Sequence, residues 1–421
     1  MEESRFLENN IALYSYRLMH THSFVISVFV RAGCLFESEN ESGITHLFEH
    51  IVFRNINAAY GGKLYSVLDR YGLDFNATTY NEMVHFFISG VPSSFSVAAK
   101  IISHVLDPIN IPSSDYNAER DRIKAEIREA DERTSFSAYA RRCVYAGTPL
   151  ARSILGTAGT VSKISQRRLE NYRQRILSDK NVFLYLCGRW SDSDADYLAS
   201  LFGEKRIAEA PLVENVAQVP ENFRHRGPLV YHKRATFTKI RIGFDVDMSE
   251  VTAPELDLLH DMIFGGNDSP MFTELSEKMG LFYEIDSATE RYNNIASLHF
   301  SFEIRGARLY EALDKTIELL RRFKTEIQSE ERLMRVGYVE GADVLLDDPH
   351  ELAFTFAYEK HVAGADYRGL EDRKRAYASV SAERLREVAR LVLRPEGSVV
   401  VVFGDKAKID ASRIKEILST L

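Results

Sequence analysis

The feature that most constrains this chain is the stretch Gly43-Ile-Thr-His46-Leu-Phe-Glu49-His50-Ile-Val-Phe53, which reads as one helix. At about 3.6 residues per turn, positions i, i+3 and i+4 fall within an arc of roughly 100°. His46, Glu49 and His50 therefore share a face. Two imidazoles four apart can ligate one zinc ion, and a carboxylate beside them can take a proton from water held there. The order H-x-x-E-H inverts the commoner H-E-x-x-H. Isolated helix histidines are more often ordinary surface or core residues than ligands, so a metal reading needs a third ligand elsewhere.

The helix expected from Ser113-Ser114, read as its N-cap, to about Arg133 offers one. At about 100° per residue, Glu126 falls with Ile123, Ile127 and Ala130 on the stripe that contains Glu119, whereas Glu129 and Glu132 point away. A carboxylate on an apolar stripe is costly unless it is paired, hydrogen-bonded or bound to a metal. Ion pairs to Arg120 or Arg122 would satisfy it as well. His46, His50 and Glu126 together would leave a fourth position open for water, the arrangement of a catalytic zinc site and not a structural one.

The joint spacing resembles that of the pitrilysin and mitochondrial processing peptidase family of inverzincins. There H-x-x-E-H is followed about 76 residues later by a zinc-binding Glu, itself seven residues after a second active-site Glu. Here His50 to Glu126 is 76 positions (126 minus 50) and Glu119 to Glu126 is seven (126 minus 119). Further marks are Asn76-Ala-Thr-Thr79 after Arg70-Tyr-Gly72, the turn Ile154-Leu-Gly156-Thr157, and Gly265-Gly266 leading to Gly280-Leu-Phe-Tyr283. The likeness covers nearly the whole chain.

The resemblance implies a Zn²⁺-dependent endopeptidase of short or unfolded peptides, precursor or leader peptides included. Glu49 is its general base and Glu119 a residue orienting a ligand or balancing charge. It implies that Asn76 and Ala77 lie on an edge strand that holds substrate as an added strand, and that Tyr283 binds the substrate carbonyl. Phe48 would line the pocket or pack. Family members pair Tyr283 with an Arg seven residues earlier, where this chain has Ser276. A serine supplies no fixed positive fork. The expectation is a heterodimer whose homologous partner supplies the Arg/Tyr pair, with a homodimer as second choice. The contrasting reading is a non-catalytic structural or peptide-holding subunit, against which the intact set of three ligands and Glu49 argues.

The implied fold class is α+β: two homologous α/β-sandwich domains, each a mostly antiparallel mixed sheet with helices, forming half of a clamshell chamber. At 421 residues the chain exceeds one ordinary core. Pro211, Pro220 and Pro228 mark residues 208–228 as a linker between a zinc-binding domain, 1–207, and a second domain, 229–421. The apolar strand before Gly188 is echoed by the one before Gly404, 216 positions later (404 minus 188), as duplication of one unit would give. The counterpart of the zinc helix, Leu256-Asp-Leu-Leu-His260, keeps one histidine and no adjacent glutamate, which leaves chemistry to the first half.

Ile11 to Arg17 and Phe24 to Arg31 read as two paired strands, and Leu73 to Ser89 as two more. Helices are expected over Gly61 to Tyr71, Gly306 to Phe323 and Ser329 to Leu346. The net charge of −8 and the absence of basic blocks exclude a nucleic-acid partner. No apolar run is long enough to span a membrane. Cys34, Cys143 and Cys187 are odd in number and form no C-x-x-C pair, so neither disulfides nor a thiolate site is indicated. Without a signal-peptide pattern after Met1, the expected location is cytoplasmic.

Overall fold

The computed structural model describes residues 2–130, 136–212, 226–266, 268–292, 295–326 and 336–421. Its strands make two sheets, each with its own apolar core. The fold is α+β.

The first sheet holds β1 (Glu3–Phe6), β2 (Ala12–Arg17), β3 (Phe24–Arg31), β4 (Asp74–Thr79), β5 (Met83–Gly90) and β6 (Val182–Gly188), in the order β1-β2-β6-β3-β5-β4. Only β2 and β6 are parallel. The expected β2–β3 pair does not form, because β6 lies between them. Buried along its whole length, β6 belongs in the middle of a sheet. Its end is pinned on both sides: Leu18 N–H donates to the Gly188 carbonyl and Arg189 N–H to the Ser23 carbonyl, both at 2.8 Å.

On one face of this sheet lie α1 (Ile44–Ala59), α2 (Leu64–Tyr71), α3 (Phe95–Ser103) and α4 (Ser113–Glu129). After α5 (Phe136–Val144), which belongs to the second unit, come α6 (Ala158–Lys163), α7 (Gln166–Ile176) and α8 (Asp192–Gly203). Phe24, Ile26, Val28 and Val30 of β3 point into this helical layer. Two helix starts differ from expectation. α2 begins at Leu64 because Gly61 and Gly62 adopt positive φ of 60° and 79°. At α4 the cap position is Pro112, with no side-chain hydrogen bond, and Ser113 is already helical. Glu132 and Arg133 lie outside the described residues.

The second sheet holds β7 (Gly227–His232), β8 (Phe237–Val246), β9 (Ile285–Tyr292), β10 (Ile295–Arg305) and β11 (Ser398–Gly404), in the order β7-β11-β8-β10-β9. It repeats β2-β6-β3-β5-β4 strand for strand, with β7 and β11 again the parallel pair. The sequence reading omitted β9, whose side chains are half-buried or exposed and carry no apolar alternation. α9 (Ala253–Phe264) and α10 (Leu309–Phe323) supply much of the second core. Of the helix expected over Ser329 to Leu346, residues 329–335 lie outside the described residues, and Gly341–Leu346 is a 3₁₀ turn. Asp348 then caps a new helix, Pro349–Phe356, accepting from the N–H of His350 at 2.9 Å and of Glu351 at 3.2 Å.

The compact units are not the contiguous halves 1–207 and 229–421 that the sequence suggests. One comprises Met1–Asp131, Thr148–Ala217 and Asp343–Gly369; the other comprises Glu132–Gly147, Gln218–Ala342 and Leu370–Leu421. Residues 213–225 of the expected linker lie outside the described residues. The reason for the exchange is that each sheet has a second apolar face. Val25 and Phe29 of β3 point away from α1–α4, yet both are buried, under Phe354 and its neighbours in the 343–369 segment. In the second unit α5 plays the same part, with the Tyr139 ring tilted against Tyr231 at 4.9 Å and Phe136 near Phe403 at 6.3 Å.

Candidate metal centre

The direction of α1 is set before its first turn. The backbone N–H groups of Gly43 and Thr45 each donate at 3.0 Å to the buried carboxylate of Glu37. Two of the donors that a helix start leaves orphaned are thereby satisfied. Gly43 has φ of 89°, and a Cβ there would meet the Leu155 carbonyl oxygen at 2.6 Å; one on Gly156 would meet the Ser42 oxygen at 2.4 Å. Two backbones cross here too closely for side chains. Thr45 accepts from Gly33 N–H at 3.1 Å and shares a hydrogen bond of 2.6 Å with Tyr172. The sequence signals Glu37 only by an acidic residue standing six positions before the Gly43 cap of a helix.

α1 packs Leu47, Phe48, Ile51 and Val52 into the core and turns His46, Glu49 and His50 outward together. Phe48 is fully buried with its ring centroid 6.1 Å from that of Phe86, so it packs and does not line a pocket. From α4, Glu126 brings Oε2 within 3.1 Å of His46 Nε2 and 3.8 Å of His50 Nε2. Ligands bound at about 2.0–2.1 Å around a tetrahedral ion stand roughly 3.3 Å apart, so the spacing fits. Among the described residues, His46, His50 and Glu126 are the group able to hold a metal, with donor atoms within 4.8 Å of one another.

The two glutamates of α4 differ in burial. Glu119 is 3% exposed at its side chain and Glu126 36%. Glu119 Oε2 lies 3.1 Å from His50 Nδ1, and its other oxygen accepts from Arg54, one turn further along α1. Burial would push the Glu119 carboxyl up, but His50 and Arg54 outweigh it and hold it below its ordinary value. Arg122 stands 3.8 Å away and is mostly exposed; Arg120 instead donates to the Ser162 and Ile164 carbonyls. Arg54 and Arg122 both lie against Glu119, whereas Glu126 and Glu49 face the histidines, an arrangement suited to a divalent cation.

Glu49 places Oε2 3.7 Å from His46 Nδ1 and accepts there from the Thr79 hydroxyl. Burial raises its pKa, the nearby His46 and the hydrogen bond from Thr79 lower it, and the net shift is downward. For His46 burial works downward, but Glu49 and Glu126 prevail and raise it. Thr79 and Arg54 were missed in the sequence, since neither residue type at those positions signals chemistry by itself.

Asn76 and Ala77 lie on β4, an edge of the first sheet, bonded on one side only to β5. Tyr283 belongs to the second unit and is 94% exposed. Ser276 donates its hydroxyl to the Phe282 carbonyl at 2.7 Å and is spent on local structure. It lines a cavity of about 1140 Å³ together with Tyr283 and Arg308. The guanidinium of Arg308 is itself held by Glu311 at 2.7 Å and by the Met279 carbonyl at 2.9 Å. On α9, the counterpart of α1, His260 bonds Asp261 and Ser287, each at 3.0 Å, and Asp257 accepts from Tyr377 at 2.8 Å. There the polar side chains satisfy one another.

No helix among the described residues is long and apolar enough to cross a membrane. The insulinase family profile, peptidase family M16, matches residues 15–158, and that of the peptidase M16 inactive domain matches residues 163–335. An uncharacterized zinc protease of Rickettsia felis is 22% identical over 327 residues, 76% of each chain. A protease of Helicobacter pylori has the same fold, with a TM-score of 0.83 at 18% identity over 96% of this chain and 99% of that one. The periplasmic protease PqqL of Escherichia coli matches with a TM-score of 0.78 at 17% identity; all of this chain covers 50% of that one. Two consecutive family profiles over most of the sequence, on a fold shared with solved proteases, lead to one assignment: the chain belongs to peptidase family M16.

Proposed function

We propose that this chain is a zinc metallopeptidase that hydrolyses peptide bonds in short or unfolded peptides and works with a homologous partner chain. The observation carrying the reading is the convergence of His46, His50 and Glu126 from two helices, with Glu49 beside them. These three residues would hold the zinc ion, whose contribution is Lewis acidity toward a peptide carbonyl and toward water. Glu49, kept ionised by His46 and Thr79, accepts a proton from the attacking water as the carbon–oxygen bond forms. It returns that proton to the amine nitrogen as the carbon–nitrogen bond breaks. Glu119, anchored by Arg54, accepts from His50 Nδ1 and so fixes the tautomer that leaves Nε2 free to ligate.

The partner is proposed because Ser276 stands where the guanidinium paired with Tyr283 is expected, and both Ser276 and Arg308 are engaged locally. That this chain matches half of PqqL supports the same reading. Asn76 and Ala77 would bind substrate through the β4 edge. A cytoplasmic location is part of the proposal; Cys34, Cys143 and Cys187 form no disulfide among the described residues.

The test is Glu49→Gln in material co-purified from the native host, with zinc content and peptide hydrolysis both measured. Hydrolysis should fall by about 10²–10⁴-fold, the typical share of general acid–base catalysis, with zinc retained. Unchanged function would indicate a scaffolding subunit instead. Strong hydrolysis by the purified single chain would remove the need for a partner.

A further inference from the structure

β4 does two things at once. Its side chains at Phe75, Ala77 and Thr79 face α1, where Phe75 lies 4.7 Å from Phe53 and Thr79 bonds Glu49. Phe53 and Glu49 are one helical turn apart, so the strand is keyed to the helix at two successive points. Its backbone meanwhile alternates. Tyr80 N–H donates to Met83 across the turn into β5 at 2.7 Å. In an antiparallel pair the hydrogen-bonded positions alternate, so Ala77 and Thr79, opposite Phe86 and Val84, turn their N–H and C=O groups to the free edge. Ala77 N–H accordingly has no partner on β5 and donates to the side chain of Asn76 at 2.9 Å.

We infer that Thr79 is a positioning residue for Glu49, and that a peptide pairing with the β4 edge acts through it. This rests on the function proposed above. The hydroxyl occupies Glu49 Oε2 and leaves Oε1 for the proton being moved. Pairing of a peptide with the outward backbone of Ala77 and Thr79 would fix the main chain from which that hydroxyl hangs. A substrate that extends the sheet thereby steadies the base that cleaves it.

Thr79→Val is nearly isosteric and removes the hydroxyl; Thr79→Ser restores it. Crystal structures of the zinc-loaded full-length chain supply a readout that needs no turnover. Glu49 should hold one carboxylate orientation in wild type and Thr79→Ser, and spread over several in Thr79→Val with zinc still bound. In co-purified complex, Thr79→Val should lower kcat by about 10–100-fold, a fraction of the general-base share. KM should stay within about threefold, and Thr79→Ser should recover most of kcat. A wild-type Glu49 orientation in Thr79→Val, or a kcat within twofold of wild type, would overturn the inference. If wild type itself hydrolyses nothing, the peptidase reading fails, and the orientation of Glu49 still decides the role of Thr79.

Discussion

Glu37 shows how much of a candidate metal centre is set by residues that never approach it. Its two oxygens take the first free N–H groups of α1, and Arg152 braces the turn by donating to the Glu37 and Cys34 carbonyls at 2.8 and 3.1 Å. Glu37→Ala leaves two buried donors unsatisfied, each worth about 1–3 kcal/mol. Denaturant unfolding should show a loss of about 2–6 kcal/mol, with zinc affinity falling as α1 loses its fixed entry. Among the candidate site residues, His46, Glu49 and His50 were readable together because helical geometry alone puts them on one face. Glu126 was readable from its stripe and spacing. What the stripe could not distinguish is that Glu119 is buried against His50 and Arg54 while Glu126 stays more than a third exposed, facing the histidines.

At the scale of elements, the helix and strand types were largely legible, and the misses have physical causes. β9 is an edge strand with no face fully buried, so it carries no periodic apolar signal. β3 reads as a continuous apolar run, which indicates burial on both faces but not by what. The cover is the segment that includes Pro349–Phe356, and its far end is tied down by Glu2. That carboxylate accepts from Tyr185 at 2.8 Å, pairs with Lys360 and lies 3.5 Å from His361. Burial raises the Glu2 pKa, but His361, Lys360 and Tyr185 outweigh it and the net shift is downward. A carboxyl held lower in the folded state contributes stability above its unfolded pKa and loses it as pH falls through the folded value. Acid should therefore loosen the 343–369 segment below about pH 4.5, the ordinary Glu pKa. Glu2→Gln should be less stable at neutral pH by about 1.5–3 kcal/mol, typical of a charge-assisted hydrogen bond. The gap from wild type should close in acid, as followed by hydrogen exchange in residues 343–369.

At the scale of the whole molecule, the duplicated strand order fixes what each half can and cannot do alone. A chain cut to residues 1–212 keeps the helical layer over its sheet but strips the other face, exposing Phe29, Phe183 and His85. Large exposed apolar patches drive association, so this fragment should aggregate, and a linked copy of residues 343–369 should restore a monomer by size-exclusion chromatography. Periodicity and spacing, both local properties of the chain, were enough to determine the shared face of His46, Glu49 and His50, the glutamate helix and the repeat of β6 in β11, while the α+β class came from the family resemblance those spacings carry. Tertiary structure alone decided that β6 separates β2 from β3, that each sheet borrows its second cover from the other half of the sequence, and that Thr79 meets Glu49. Those outcomes depend on which buried faces find each other across long separations, and no window of sequence contains both partners.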